Sequence, residues 1–112
     1  MPRSVPRTYS SYCRDATALL GGLIRAARIE RRLTAQEVAD RAGISRGLLQ
    51  RIEKGDLKCE IGAVFEVATI VGVTLFDADR AALPGHLQQT RDRLALLPKS
   101  VRSRTGAVQD DF

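Results

Sequence analysis

The sequence predicts an all-α fold: a compact bundle of about five helices with a flexible N-terminal arm and a C-terminal tail. Three observations support this prediction. Apolar residues recur every three or four positions along much of the chain, which is the period of an amphipathic helix. Helix-starting residues precede two of these segments, at Thr34 and Ser45. Glycines end three of them, at Gly43, Gly55 and Gly72, because glycine adopts the left-handed conformation of a helix end without steric cost.

Composition divides the 112 residues into four segments. Residues 1–14 are polar and basic and contain two prolines, which predicts a flexible arm. Residues 15–76 carry the clearest helical periodicity and form the predicted folded domain. Residues 77–98 are predicted to be a linker and a C-terminal helix at 86–97. One apolar stripe runs through and just before this helix and consists of Leu83, Leu87, Leu94 and Leu97. Residues 99–112 have too little apolar content to fold alone and form a predicted disordered tail.

Four helices are predicted within the folded domain. The first spans residues 15–32. The second begins at the capping box Thr34-Ala35-Gln36-Glu37, in which the hydroxyl and the carboxylate each bind a backbone N–H of the other residue. The third runs from Ser45 to about Lys54, and the fourth from about Ile61 to Val71. The apolar residues assigned to the inner side of the first helix are Leu19, Leu20, Leu23, Ile24, Ala27 and Ile29.

The chain carries a formal net charge of +5, from 18 Lys and Arg against 13 Asp and Glu. A basic balance favours a polyanionic partner, because displacing counterions from phosphates drives binding. The excess is concentrated in residues 1–14, which hold three Arg and no acid, whereas residues 15–75 hold nine bases against eight acids. A nucleic-acid surface on the folded domain must therefore arise from the arrangement of its basic residues.

No constellation typical of catalysis or metal binding is evident. Cys13 and Cys59 lack a metal-binding spacing, and His86 has no Cys or acid ligand near it. Neither a catalytic triad, a phosphate-binding loop nor a carboxylate pair is found, so the prediction is a protein that is not an enzyme and needs no metal or cofactor. The sequence contains no apolar run of about 18 residues, so no transmembrane helix is predicted. The start of the chain does not resemble a signal peptide. The expected location is the cytoplasm.

The second and third predicted helices are joined by the tight turn Ala42-Gly43-Ile44-Ser45. A turn of this length between two short helices is typical of a helix-turn-helix, whose second helix lies in the major groove of DNA. Leu49 and Ile52 are predicted to face the core. The residues left on the outward side, where they can reach base edges or phosphates, are Arg46, Gly47, Gln50 and Arg51.

The stretch from Leu23 to Phe76, about half of the chain, resembles the Cro and phage-repressor type of helix-turn-helix domain, also called XRE-like. The resemblance is carried by LIRAARIERRLTAQEVADRAGISRGLLQRIEKG and, further on, by IGAVFEVATIVGVTLF. It implies a compact all-α bundle of about five helices that represses transcription as a dimer on a specific DNA sequence.

The same resemblance implies roles for individual residues. Arg46, Gly47 and Arg51 occupy the base-contacting positions, and arginine can donate to both O6 and N7 of guanine. Gly47 has no side chain with which to read a base. Phosphate contacts, which fix register rather than sequence, are assigned to Gln36, Ser45, Gln50, Lys54 and Lys58. Gln36 lies one position later than the glutamine of the family, which weakens its contact. A partly buried ion pair is expected between Arg28 and Glu53.

A homodimer is expected on energetic grounds. One recognition helix reads about three or four base edges at about 1–3 kcal/mol each, whereas specific binding exceeds non-specific binding by about 4–10 kcal/mol. Two helices about 34 Å apart on a palindromic site supply this difference. The expected interface is the C-terminal helix, the fourth helix or both. In the alternative, the leucine stripe of the C-terminal helix only covers the core.

The segments outside the bundle resemble HipB-like antitoxins of type II toxin–antitoxin systems. The relevant segments are MPRSVPRTYSSYC, LALLPKSVR and the short acidic tail that ends in Phe112. This resemblance implies a dimer that represses its own operon and binds a HipA-like kinase toxin, with Phe112 as a toxin contact. Two alternatives stay open: a stand-alone or phage-type repressor without a toxin, and a protein-interaction module on the same bundle.

Overall fold

The computed structural model describes residues 8–103. They form five α-helices, with no β-strand in the described range, which confirms the all-α prediction. The helices are α1 (Ser11–Glu30), α2 (Ala35–Ala42), α3 (Arg46–Glu53), α4 (Ile61–Val71) and α5 (Leu83–Leu96). The chain separates into two compact units between Asp77 and Ala78, so that α1 to α4 belong to the first unit and α5 to the second.

The helices of the helix-turn-helix begin at capping residues that the sequence predicts. The Thr34 hydroxyl accepts from the N–H of Glu37 at 3.0 Å, and the Glu37 carboxylate accepts from the N–H of Thr34 at 2.8 Å. These hydrogen bonds with Thr34 lower the pKa of Glu37, because they favour the charged carboxylate. The Ser45 hydroxyl accepts from the N–H of Leu48 at 3.0 Å and so starts α3. Each cap satisfies a backbone donor that the helix leaves unpaired.

All four helices of the first unit end in the same backbone motif. A residue with positive φ closes the helix, and the N–H of the next residue donates to the carbonyl five positions earlier. The positive-φ residues are Arg32, Gly43, Gly55 and Gly72. The residues that follow them are Leu33, Ile44, Asp56 and Val73. Three of these are apolar and pack against the core, whereas Asp56 ends α3 with a charged side chain.

The core of the first unit is built from all four of its helices. Its buried residues are Ile24, Ala27, Val38, Ala39, Leu49, Ile52, Val67, Ala68 and Val71. Leu49 and Ile52 anchor α3 as predicted, and a buried side chain of this kind contributes about 1.5–3 kcal/mol. These two residues therefore determine which side of α3 faces solvent.

Two glycines allow α1 and the end of α3 to approach closely. A Cβ atom at Gly21 would lie 2.5 Å from the carbonyl oxygen of Ile52, and one at Gly55 would lie 2.8 Å from the Cα of Ala18. Both contacts are to backbone atoms, so any side chain would push the helices apart. The glycines thus fix the position of α3 on the bundle.

Helix α1 begins earlier than predicted and also ends earlier. It starts at Ser11, so residues 11–14 of the predicted arm are helical, because the Ser10 hydroxyl caps the N–H of Cys13 at 3.1 Å. The last helical residue is Glu30 rather than residue 32. Leu19, Leu23 and Ile29, which the helical period predicts on the inner side of the helix, are exposed, so that part of the prediction is wrong. The helix carries a second apolar side beside the one that packs inside.

The C-terminal helix begins at Leu83, three residues before its predicted start. Pro84 is compatible with this start, because proline fits the first turn of a helix, where its missing N–H has no partner to lose. No residue of α5 is buried, and its predicted leucine stripe is exposed. The predicted arm at residues 1–7 and the tail at 104–112, including Phe112, lie outside the described residues.

Candidate nucleic-acid interface

Helix α3 has a polar side opposite its buried anchors. The exposed residues on this side are Arg46, Gly47, Gln50, Arg51 and Lys54. They fall within one arc of the helix because successive residues are rotated by about 100°. Leu48 is half-buried at the edge of this arc. The structure therefore brings the predicted contacts of α3 onto one solvent-facing side.

A groove of roughly 540 Å³ runs between α1, the start of α2 and the side of α3. Three of the predicted DNA contacts, Arg46, Gln50 and Lys54, line it. Gln36, Ser45, Gly47, Arg51 and Lys58 do not line it. The exposed charges of the groove are positive, since its one acid, Glu53, has a side chain that is only 6% exposed. The phosphates of a nucleic acid lying beside α3 would therefore contact these cationic side chains.

Arg28 and Glu53 form a two-pronged ion pair between α1 and α3. Arg28 Nε donates to Glu53 Oε2 at 2.6 Å, and Arg28 Nη2 donates to Glu53 Oε1 at 3.0 Å. A third donor, Nη1, binds the carbonyl oxygen of Leu33 at 2.9 Å. The hydrogen bond with Glu53 raises the pKa of Arg28. The two side chains are 13% and 6% exposed, so the pair lies in the regime in which losing one partner is strongly destabilising.

Arg25 also belongs to this group and is not among the contacts predicted from the sequence. Its Nε lies 3.9 Å from Glu53 Oε1, and its side chain is 63% exposed. Because Arg28 holds Glu53 by shorter bonds, the charge of Arg25 stays available to an outside anion. The spacing of three residues from Arg28 places both arginines on one side of α1, and this spacing was the signal that could have identified it.

Two predicted phosphate contacts already make hydrogen bonds within the protein. Gln36 Nε2 donates to Asp40 Oδ1 at 2.8 Å along the exposed side of α2. The Ser45 hydroxyl is occupied as the cap of α3, although its oxygen still has a proton to donate. Gly47 has open space around it, since a Cβ there would meet only the Ser45 hydroxyl, at 4.0 Å.

Arg51 is held by an acid that follows the helix. Arg51 Nε donates to Asp56 Oδ2 at 2.9 Å, and Asp56 Oδ1 accepts from the N–H of Lys58 at 2.8 Å. The pKa of Asp56 is lowered, most by the hydrogen bond from the Lys58 N–H and next by the hydrogen bond from Arg51. The hydrogen bond with Asp56 in turn raises the pKa of Arg51. Lys58 thus contributes its backbone here, and its side chain is exposed.

The part of the chain that the structure describes contains two cysteines, but no cluster of metal ligands and no membrane-spanning helix. No group of three or more His, Cys, Asp or Glu there could hold a metal ion. Cys13 and Cys59 are free thiols, and burial raises the pKa of Cys59. Within the same residues, no helix is long and apolar enough to cross a membrane.

Comparison with protein families identifies a matching domain model. A model described as a helix-turn-helix domain matches residues 19–83, which is more than half of the chain and includes all of α2, α3 and α4. No curated protein and no solved structure matches the chain. The matched segment contains the predicted turn and the cationic groove. The chain therefore belongs to a family of helix-turn-helix DNA-binding domains.

Proposed function

We propose that this protein is a sequence-specific transcriptional repressor that binds operator DNA as a homodimer. The outward side of α3 carries the proposal, because it presents Arg46 and Arg51 away from the core beside a cationic groove. An α-helix with its side chains is about 10–12 Å across, and the major groove is about 12 Å wide. Helix α3 could therefore enter the groove, which would bring Arg46 and Arg51 towards the base edges.

The contacts divide into base reading and backbone positioning. Arg46 and Arg51 would each donate to O6 and N7 of a guanine, and Gly47 would let the helix backbone approach the bases between them. Phosphates would be bound by Gln36, Ser45, Gln50, Lys54 and Lys58, to which the groove adds Arg25. The start of α2 also lines this groove, and a helix N-terminus favours a phosphate.

A dimer is supported by the exposed surface of α5. A 14-residue helix without a single buried residue is marginal in water by itself. Its leucines Leu83, Leu87 and Leu94 recur at a spacing that forms one apolar stripe, which a second copy would bury. Near α4, Ile61 and Phe76 are also exposed, and the Phe76 ring packs edge-on against Phe65 at 6.2 Å. Sedimentation of the full chain should show a dimer at tens of micromolar, and a monomer there would contradict this interface.

We infer further that the repressor is a HipB-like antitoxin with a HipA-like kinase toxin as its partner. The resemblance of the chain ends to HipB-like antitoxins supports this inference. So does the exposure of Leu96 and Val101, at 87% and 86%, within the LALLPKSVR segment. Co-expression with a kinase-like neighbouring gene should give a complex, and deleting residues 99–112 should weaken it. Unchanged toxin affinity would remove the tail from the interface, and the absence of such a neighbour would favour a stand-alone repressor.

The DNA function is tested by selecting duplexes from a randomised pool with the full chain and footprinting the protein on the enriched duplexes. A repressor should protect two inverted half-sites about one helical turn apart. Affinity should also fall steeply with salt concentration. Each neutralised phosphate steepens the slope of the logarithm of the binding constant against the logarithm of the salt concentration by about 0.9. A pool that shows no enrichment, with a folded protein, would indicate a protein-interaction module instead.

A further inference from the structure

The end of α3 places two charged side chains against each other. In the motif that closes this helix, the N–H of Asp56 donates to the carbonyl of Arg51 at 3.0 Å, and Gly55 supplies the positive φ of 79°. This reversal of the chain makes Arg51 and Asp56 neighbours. The residues at these two positions of the motif ordinarily make an apolar contact. The equivalent residues after α1, α2 and α4 are the apolar Leu33, Ile44 and Val73.

We propose that Asp56 is a specificity-determining residue that positions the Arg51 guanidinium to read one guanine. The inference rests on the proposed DNA-binding function, which it deepens. Asp56 itself cannot swing freely, because one of its carboxylate oxygens binds Arg51 Nε at 2.9 Å and the other binds the N–H of Lys58 at 2.8 Å. The helix end therefore holds the acid, and the acid holds the arginine.

The choice of base follows from the donors that remain. With Nε occupied, Arg51 keeps its two terminal amino groups, which lie in one plane at the end of the side chain. Guanine presents two acceptors, O6 and N7, in the major groove and matches this fork. Adenine presents N7 beside an N6 donor, and thymine presents O4 beside a methyl group, so each can satisfy only one terminal amino group. A fixed guanidinium plane should therefore favour guanine more strongly than a mobile one.

Arg46 provides an internal comparison within the same helix. It makes no ion pair with any of residues 8–103, so its guanidinium has no comparable support. If Asp56 acts through Arg51, its loss should change the base preference at one position of each half-site and leave the Arg46 position unaltered. A general effect on fold or charge would change both positions together.

The test compares wild type with Asp56→Asn by selection from randomised duplexes, followed by titration of the selected duplex and its single-base variants. Asparagine retains an acceptor for the Lys58 N–H and removes the ion pair. Guanine discrimination at the position sensitive to Arg51→Ala should fall at least threefold, out of the roughly 5- to 150-fold that a bidentate contact supplies. Affinity for non-specific duplex should stay equal or rise, because a negative charge is removed.

Two further variants make the outcome unambiguous. Asp56→Asn combined with Arg51→Lys should have the base preferences of Arg51→Lys alone, since lysine has no planar fork to position. Asp15→Asn removes one negative charge from the exposed N-terminal part of α1 and should leave the preferences unchanged. Unaltered guanine discrimination in Asp56→Asn, or no position sensitive to Arg51→Ala, would overturn the inference while the proposed function stands. A wild-type protein that enriches no sequence would instead overturn the proposed function.

Discussion

Replacing Glu53 with alanine removes the acid that ties α3 to α1. Arg28 would lose the acceptors of its Nε and Nη2 groups, which now lie 2.6 and 3.0 Å from the carboxylate oxygens. Only the bond from Nη1 to the Leu33 carbonyl would remain. Arg25, 3.9 Å from the same carboxylate, would then face Arg28 without an intervening negative charge. The variant therefore leaves a largely buried cation uncompensated.

The expected loss is about 3–5 kcal/mol of unfolding free energy. Two charge-assisted hydrogen bonds at about 1.5–3 kcal/mol each give about 3–6 kcal/mol, which overlaps this range. Because native domains are stable by only about 5–15 kcal/mol, the loss would remove a large share of the stability of the first unit. Urea unfolding followed by far-UV circular dichroism measures it directly.

A matched double variant distinguishes the loss of the ion pair itself from the cost of leaving one buried charge unpaired. Arg28→Met with Glu53→Leu replaces both charges by apolar groups and should recover most of the loss, because no charge is left unpaired. A loss below about 1 kcal/mol in Glu53→Ala would refute the reasoning, since that is the value of an exposed ion pair. The Glu53 side chain would then be solvated in solution.

Three further predictions concern the framework around α3. Gly21→Ala should destabilise the fold by about 1–3 kcal/mol, since its Cβ would lie 2.5 Å from the Ile52 carbonyl oxygen. Gly22→Ala, where the Cβ meets open space, should stabilise the fold by about 0.5–1 kcal/mol. Equal shifts of the melting temperature in the two variants would contradict the close packing at Gly21. Gly47→Ala should also stabilise the fold slightly while it changes the selected DNA sequence, and an identical sequence would place Gly47 away from the bases. The lowered pKa of Glu37 predicts stability that is present above its ordinary pKa of 4.5 and lost as pH falls through its folded value; Glu37→Gln should flatten this part of the stability–pH curve, and an unchanged curve would exclude Glu37 as its source.

Much of the first unit could be predicted from local signals in the sequence. The capping box at Thr34 and the glycines at positions 43 and 72 fix the ends of α2 and α4, because each residue acts within one turn of its own helix. The start of α1 was missed because the capping Ser10 lies in a run of serines and threonines that also suits a flexible arm. Its exposed leucines were misassigned, since periodicity identifies an apolar side without showing what covers it.

The candidate site was predictable in its residues but not in their partners. Arg46 and Arg51 could be selected from the helix period and the buried positions of Leu49 and Ile52. The pairing of Arg51 with Asp56 depends on the reversal of the chain at Gly55, which sequence spacing alone does not reveal. Arg25 enters the groove through the packing of α1 against α3, although its spacing from Arg28 already places both arginines on one side of α1.

The most direct test of DNA reading by α3 is the affinity of Arg46→Ala combined with Arg51→Ala for the duplex that the wild type selects. Two bidentate contacts at about 1–3 kcal/mol each predict a loss of about 2–6 kcal/mol per protomer, close to non-specific binding. Arg80→Ala with Arg102→Ala removes the same charge from the second unit outside α5 and should bind nearly as the wild type does. A doubly substituted α3 that remains folded and binds the selected duplex with unchanged affinity would contradict the assignment of α3 as the helix that reads DNA.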